Sequence, residues 1–201
     1  LEVATSSNLW VNLFIMVLCA PVAEELIFRK LLIDRLAQYG EGVAVLFSGL
    51  MFGLFHGNLN QFVYAFVLGL CFGFIYVKTG NIRYTIGLHM LVNFLGSVLG
   101  VAILKWLGDD FLSIASDPAG MMSYMTGNFG KLIVYFIYIF LLLGVAIAGI
   151  ILFIVNLKKI RFLPGMNTLP KGKRFSTTVL NVGMALYMIV WIVIIIVQLF
   201  Q

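Results

Sequence analysis

The 201-residue chain is 62% hydrophobic and only 10% charged, with a mean hydropathy of +1.09, whereas a soluble domain is roughly 45–50% apolar and about 25% charged. Its 13 basic and 8 acidic residues leave a formal charge of +5, but in so apolar a chain the placement of the lysines and arginines matters more than their sum, and no nucleic-acid partner is expected. Its two cysteines, Cys19 and Cys71, lie in apolar segments and form neither a disulfide framework nor a zinc pattern.

The composition predicts an all-α fold: a polytopic bundle of transmembrane helices forming a single domain over 1–201. A span needs about 20 mostly apolar residues, and six segments approach that length, at about 9–35, 42–57, 60–78, 83–106, 129–157 and 177–200. The first four form a polar-residue-bearing core over about 9–106, and the last two form C-terminal helices over about 129–200. Between them stand the breakers "QYGEG", "HGNLN", "KTGN", "GDD", "SDPAG" and "LPGMNTLPKGK". The chain begins at Leu1 rather than Met, and no cleavable signal peptide is visible.

Lys30 and Arg35, Lys78 and Arg83, and Lys158, Lys159, Arg161, Lys171, Lys173 and Arg174 fall at alternate turns. The opposite turns hold Lys105 and Lys131 beside Asp109, Asp110 and Asp117. The positive-inside rule therefore places the basic loop 158–174 in the cytoplasm of an integral membrane protein. That loop is read as a topology signal rather than a lipid-binding patch.

Ionisable groups at membrane depth cost about 2.5–3.5 kcal/mol each, so they usually face the bundle interior and mark function. Here they cluster as Glu24, Glu25 and Arg29 in the first segment, His56 at the end of the second, and His89 with Asn93 in the fourth. Glu25 and Arg29 are four apart and share a face, which suits an ion pair. Glu24 is rotated about 100° from Glu25 and can point elsewhere. Phe52 lies one turn before His56, and His89 lies one turn before Asn93. Three helices can thus deliver Glu, His, and His plus Asn to one cavity. By helical rise, however, His56 sits about 21 Å from Gly42, against about 9 Å from Arg83 to His89 and about 16 Å from Arg35 to Glu24. Straight parallel helices of those depths would not meet, and a carboxylate more than about 10 Å from both imidazoles could not share a site with them.

The order "EELIFR" (Glu24–Arg29), "FGLFH" (Phe52–His56) and "HMLVN" (His89–Asn93) on successive membrane helices resembles the CAAX-processing and bacteriocin-processing family of intramembrane proteases, also called Abi proteins, which includes the eukaryotic Ras-converting endopeptidase. Each motif is weak alone; three in order within 70 residues are specific. Family members generally have around eight spans, so a start at Leu1 fits either a chain lacking early helices or a shorter relative.

The resemblance implies an endopeptidase of the bacterial plasma membrane acting on a membrane-associated peptide or protein, as in bacteriocin processing or peptide maturation. Glu24 would activate water, His56 would hold the same water, and His89 and Asn93 would donate to the oxyanion, with Glu25, Arg29 and Phe52 supporting the site. The family was first labelled metalloprotease, and Glu24, His56 and His89 could supply three zinc ligands. A metal-free site with no cofactor is the preferred reading, because zinc would still need a separate base and no HExxH pattern is present.

Cys19 faces about 140° away from Glu24, and Ser48 and Ser97 lack a clear acid-base partner, which disfavours a cysteine or serine protease. Two other classes remain open: a non-catalytic bacteriocin-immunity or peptide-binding protein of the same family, and a proton-coupled transporter.

Overall fold

The structure, a computed structural model, describes residues 8–108, 111–167, 173, 177 and 181–200. Lys171 and Arg174 of the basic loop, and Asp109 and Asp110, lie outside the described residues. The helices are α1 (Leu9–Tyr39), α2 (Glu41–Phe55), α3 (Leu59–Thr79), α4 (Ile82–Leu107), α5 (Phe111–Ala115), α6 (Pro118–Lys159) and α7 (Val182–Leu199).

Among the described residues, five of these helices are long and apolar enough to cross a membrane, and the chain is an integral membrane protein of all-α class. The expected count of about six spans is corrected at the second segment. Helix α2 has 15 residues, about 22 Å at 1.5 Å per residue, which is short of a hydrocarbon core of about 30 Å. It stops because Gly57 takes a left-handed φ of 68° and Asn58 caps the next helix, accepting from the Gln61 amide at 2.8 Å. What reads as a whole span is a shorter helix with His56 at its tip.

The fifth segment departs the other way. "SDPAG" reads as a breaker but starts α6: Asp117 accepts from the Ala119 and Gly120 amides at 3.2 and 2.9 Å, and Pro118 occupies the first turn, where its missing N–H is not needed. Helix α6 kinks at Asn128, whose φ and ψ are −128° and 23°.

The chain divides into two compact units. One comprises Leu1–Cys19 with Met90–Arg161. Leu107, Phe111 and Leu132 form its buried cluster, and the Tyr138 hydroxyl donates to the Leu95 carbonyl at 2.7 Å.

The other unit, Ala20–His89 with Phe162–Gln201, holds the charged residues of interest. Helices α2 and α3 form an antiparallel hairpin in which the backbones touch: a Cβ on Gly69 would lie 2.8 Å from the Gly49 Cα. Glycine is required there by close approach. The segment after α6 returns as a strap, with the Glu41 amide donating to the Leu163 carbonyl at 3.1 Å. The Asn167 side chain donates to Gln38 at 2.8 Å. Gly165 fits under it because a Cβ would fall 2.2 Å from the Gln38 carbonyl. Helix α7 then packs Met184 against Phe47 of α2.

Helix α1 is not uniformly α-helical. Wide π turns at Asn12–Cys19 and Leu26–Ile33 flank a regular turn, Ala20–Glu25. Pro21 opens that turn and lacks the N–H that an i−4 ladder requires. Wide turns of this kind are one way a helix absorbs such a break, and they recur at functional sites.

Candidate active site

Glu25 and Arg29 are fully buried, each 0% exposed, and form a bidentate pair. Arg29 Nε donates to Glu25 Oε2 at 2.9 Å and Nη2 to Oε1 at 3.2 Å. The remaining terminal nitrogen donates to the Ser48 hydroxyl at 2.7 Å, which in turn donates to the Phe28 carbonyl at 2.8 Å. The guanidinium also lies 4.8 Å from the Phe52 ring centroid and 5.8 Å from that of Phe72, within cation–π range. A buried ion pair is tolerable only when its remaining donors and acceptors are satisfied, and here they are.

Glu25 has a second task that the Glu–Arg spacing does not reveal. Its Oε1 faces His89 Nδ1 at 3.1 Å. The Glu25 oxygen, shared with the Arg29 fork, accepts here, so Nδ1 carries the proton. The other ring nitrogen, Nε2, is then turned to Glu24, 3.8 Å from its Oε2. That separation lies well inside the roughly 10 Å limit beyond which a shared site fails. Glu24 Oε2 is, among the described residues, the one buried side-chain polar atom with no hydrogen-bond partner.

His56 caps the tip of α2, and its Nδ1 lies 2.9 Å from the Phe52 carbonyl. The carbonyl only accepts, so this imidazole also carries its proton on Nδ1 and leaves Nε2 as an acceptor when neutral. Phe52 ties the histidines together, with its ring centroid 4.9 Å from His56 and 5.5 Å from His89. Its own side chain is buried against Phe28 and Ala65.

Asn93 falls in the other unit, and there its amide donates to the Met16 carbonyl at 2.7 Å. Cys19 is exposed. The Ser97 hydroxyl is engaged with the Asn93 carbonyl. Two residues near the cluster carry no motif. Ser48, weighed in the sequence only as a nucleophile, is a buried partner of Arg29. Tyr64, half exposed, holds its ring 6.5 Å from that of His56. No spacing rule marks either one, because their partners lie on other helices.

The zinc alternative asks Glu24, His56 and His89 to converge on one ion. Among the described residues, no group of three His, Cys, Asp or Glu side chains is arranged to hold a metal, so the donor set does not fit one as it stands.

Residues 6–95 match the family model described as type II CAAX prenyl endopeptidase Rce1-like. The chain is also 33% identical over 74 residues to a Bacillus subtilis (strain 168) protein named "Putative membrane peptidase YdiL". That match covers 36% of this chain and spans 30% of the relative's length. No solved structure matches. Glu24, His56 and His89 all lie within the matched stretch, and over it, less than half of its length, the chain is similar to that family of type II CAAX endopeptidases.

Proposed function

We propose that the protein is an intramembrane endopeptidase that hydrolyses a peptide bond in a membrane-associated peptide or protein, with Glu24 activating the water. The observation that carries this reading is the buried, unpartnered Glu24 Oε2 facing the Nε2 of His89 at 3.8 Å. That gap is too long for a direct hydrogen bond and suits a bridging water. Its matched family and its peptidase-named relative support the same class.

In this reading the Glu24 carboxylate removes a proton from the water as its oxygen attacks the carbonyl carbon. The Nε2 of His56 accepts a hydrogen bond from that water and orients it. Negative charge then develops on the carbonyl oxygen. Neutral His89 cannot donate from Nε2, because its proton sits on Nδ1 against Glu25; stabilising the oxyanion requires the imidazolium, flanked by two carboxylates. As the tetrahedral species collapses, Glu24 returns its proton to the leaving nitrogen and the C–N bond breaks.

We also propose that the reaction is metal-free. The lone Glu24 oxygen suits a base better than a ligand, and among the described residues no three His, Cys, Asp or Glu side chains are arranged to hold an ion.

The test is Glu24→Gln, which removes the base with little change in volume. Comparison of peptide termini in the membranes of cells carrying the native chain or this variant should show one processed product disappear, a loss of at least about 100-fold in cleavage. A phenotype that survives unchanged would identify a binding or immunity protein instead. Stoichiometric zinc in the purified chain, together with inhibition by a chelator, would overturn the metal-free reading.

A further inference from the structure

A second feature of the Ala20–His89 and Phe162–Gln201 unit lies outside the carboxylate cluster. Ile27, Leu31 and Arg35 of α1 line one side of a groove of about 320 Å³, and Met51 and Phe55 of α2 with Tyr187 of α7 line the other. Almost all of its surface is carbon. Tyr187 cannot offer its proton to the groove, since its hydroxyl donates to the Met51 carbonyl at 2.8 Å.

Arg35 is the only charged residue of the lining. Its guanidinium folds back along α1 to donate to the Leu31 carbonyl at 3.1 Å, over the groove wall rather than away from it. Among the described residues no carboxylate pairs with it: the adjacent Asp34 is taken by Lys30 at 2.7 Å and by the Tyr76 hydroxyl at 2.8 Å. Arg35 also sits one turn before the end of α1 at Tyr39, where a membrane helix meets the head-group layer. A cation without a counter-charge at that level, continuous with an apolar slot, matches an anion carrying a long hydrocarbon chain. A guanidinium binds phosphate oxygens in a planar, two-pronged geometry, which favours a phosphodiester.

We propose that this groove is a binding site for one anionic phospholipid, its phosphate on Arg35 and an acyl chain between α1 and α2. This assignment does not depend on the proteolytic reading. The groove borders that cluster all the same: Phe28, whose ring centroid is 5.4 Å from both Phe52 and Phe55, separates the two.

The experiment uses the full purified chain in detergent, titrated with dioleoylphosphatidylglycerol or dioleoylphosphatidylcholine and read by native mass spectrometry. The native chain should retain one phosphatidylglycerol about fivefold more strongly than phosphatidylcholine, the preference expected of one basic group at the membrane surface. Arg35→Gln should bring the two lipids to equal retention. Met51→Trp, which fills the groove, should lose both, with thermal unfolding as the control for folding; if it does not unfold cooperatively, Ile27→Trp on the opposite wall replaces it. Equal retention of the two lipids by the native chain, or unchanged retention by the variants, overturns the proposal. Displacement of the bound lipid by equimolar oleate would make the occupant a free fatty acid and would also overturn it.

Discussion

Helices α1 and α6 are both apolar and both long enough to cross a membrane, yet they treat polarity in opposite ways. The most apolar stretch of α6 buries none of its residues, whereas the corresponding stretch of α1 buries 28%. Helix α6 satisfies its backbone internally, carries Lys131 as its one ionised side chain between Pro118 and Asn156, and rests that ammonium over the Trp106 ring. Helix α1 instead carries two acids and an arginine into the interior, and the surrounding helices are built around them. An apolar membrane helix can be specified by composition alone, while a charged one needs partners placed from elsewhere in the chain.

The sharpest way to break this contrast is Arg29→Met. It leaves Glu25 buried without its counter-charge, and breaking a buried pair costs about 3–5 kcal/mol. The variant should show the largest fall in thermal unfolding midpoint in detergent; a fall no larger than that of an α6 variant would mean that the pair is not what holds the cluster. Ser48→Ala should follow, at about 1.5–3 kcal/mol for a hydrogen bond lost to a charged group. It should also slow cleavage by far less than Glu24→Gln, because Ser48 reaches the reacting atoms only through Arg29, Glu25 and His89.

Gly69→Ala probes the hairpin rather than the charges. A methyl 2.8 Å from the Gly49 Cα overpacks the interface and should cost about 1–3 kcal/mol. The same change at Gly144 of α6, where a Cβ meets nothing within 4 Å, should leave the midpoint unchanged or slightly raised. The smallest effect is expected for Ile151→Ala, on the exposed face of α6, whose midpoint should match that of the native chain.

Much of the cluster was legible because its interactions are local. A Glu and an Arg four apart predict the pair seen at 2.9 Å, and the one-turn spacing of Phe52 and His56 predicts their ring contact. Local reading failed where two signals had the same residues. "SDPAG" carries breaker composition and an N-terminal cap in the same letters, and the cap prevailed. The apolar run through 42–57 ends where "HGNLN" marks a break, but the helix within it, Glu41–Phe55, has 15 residues and is shorter than a span needs.

The sequence by itself determined the all-α membrane class and the division between Glu25 and Glu24, since adjacent residues on any helix point in different directions. Only the tertiary structure decided that His89, 64 residues along the chain from Glu25, stands between the two acids with one ring nitrogen toward each. The physical reason is range. Helical geometry sets what lies within a turn, but which faces of separate helices meet is set by packing, here by the backbone contact of Gly49 with Gly69 and by the short reach of α2.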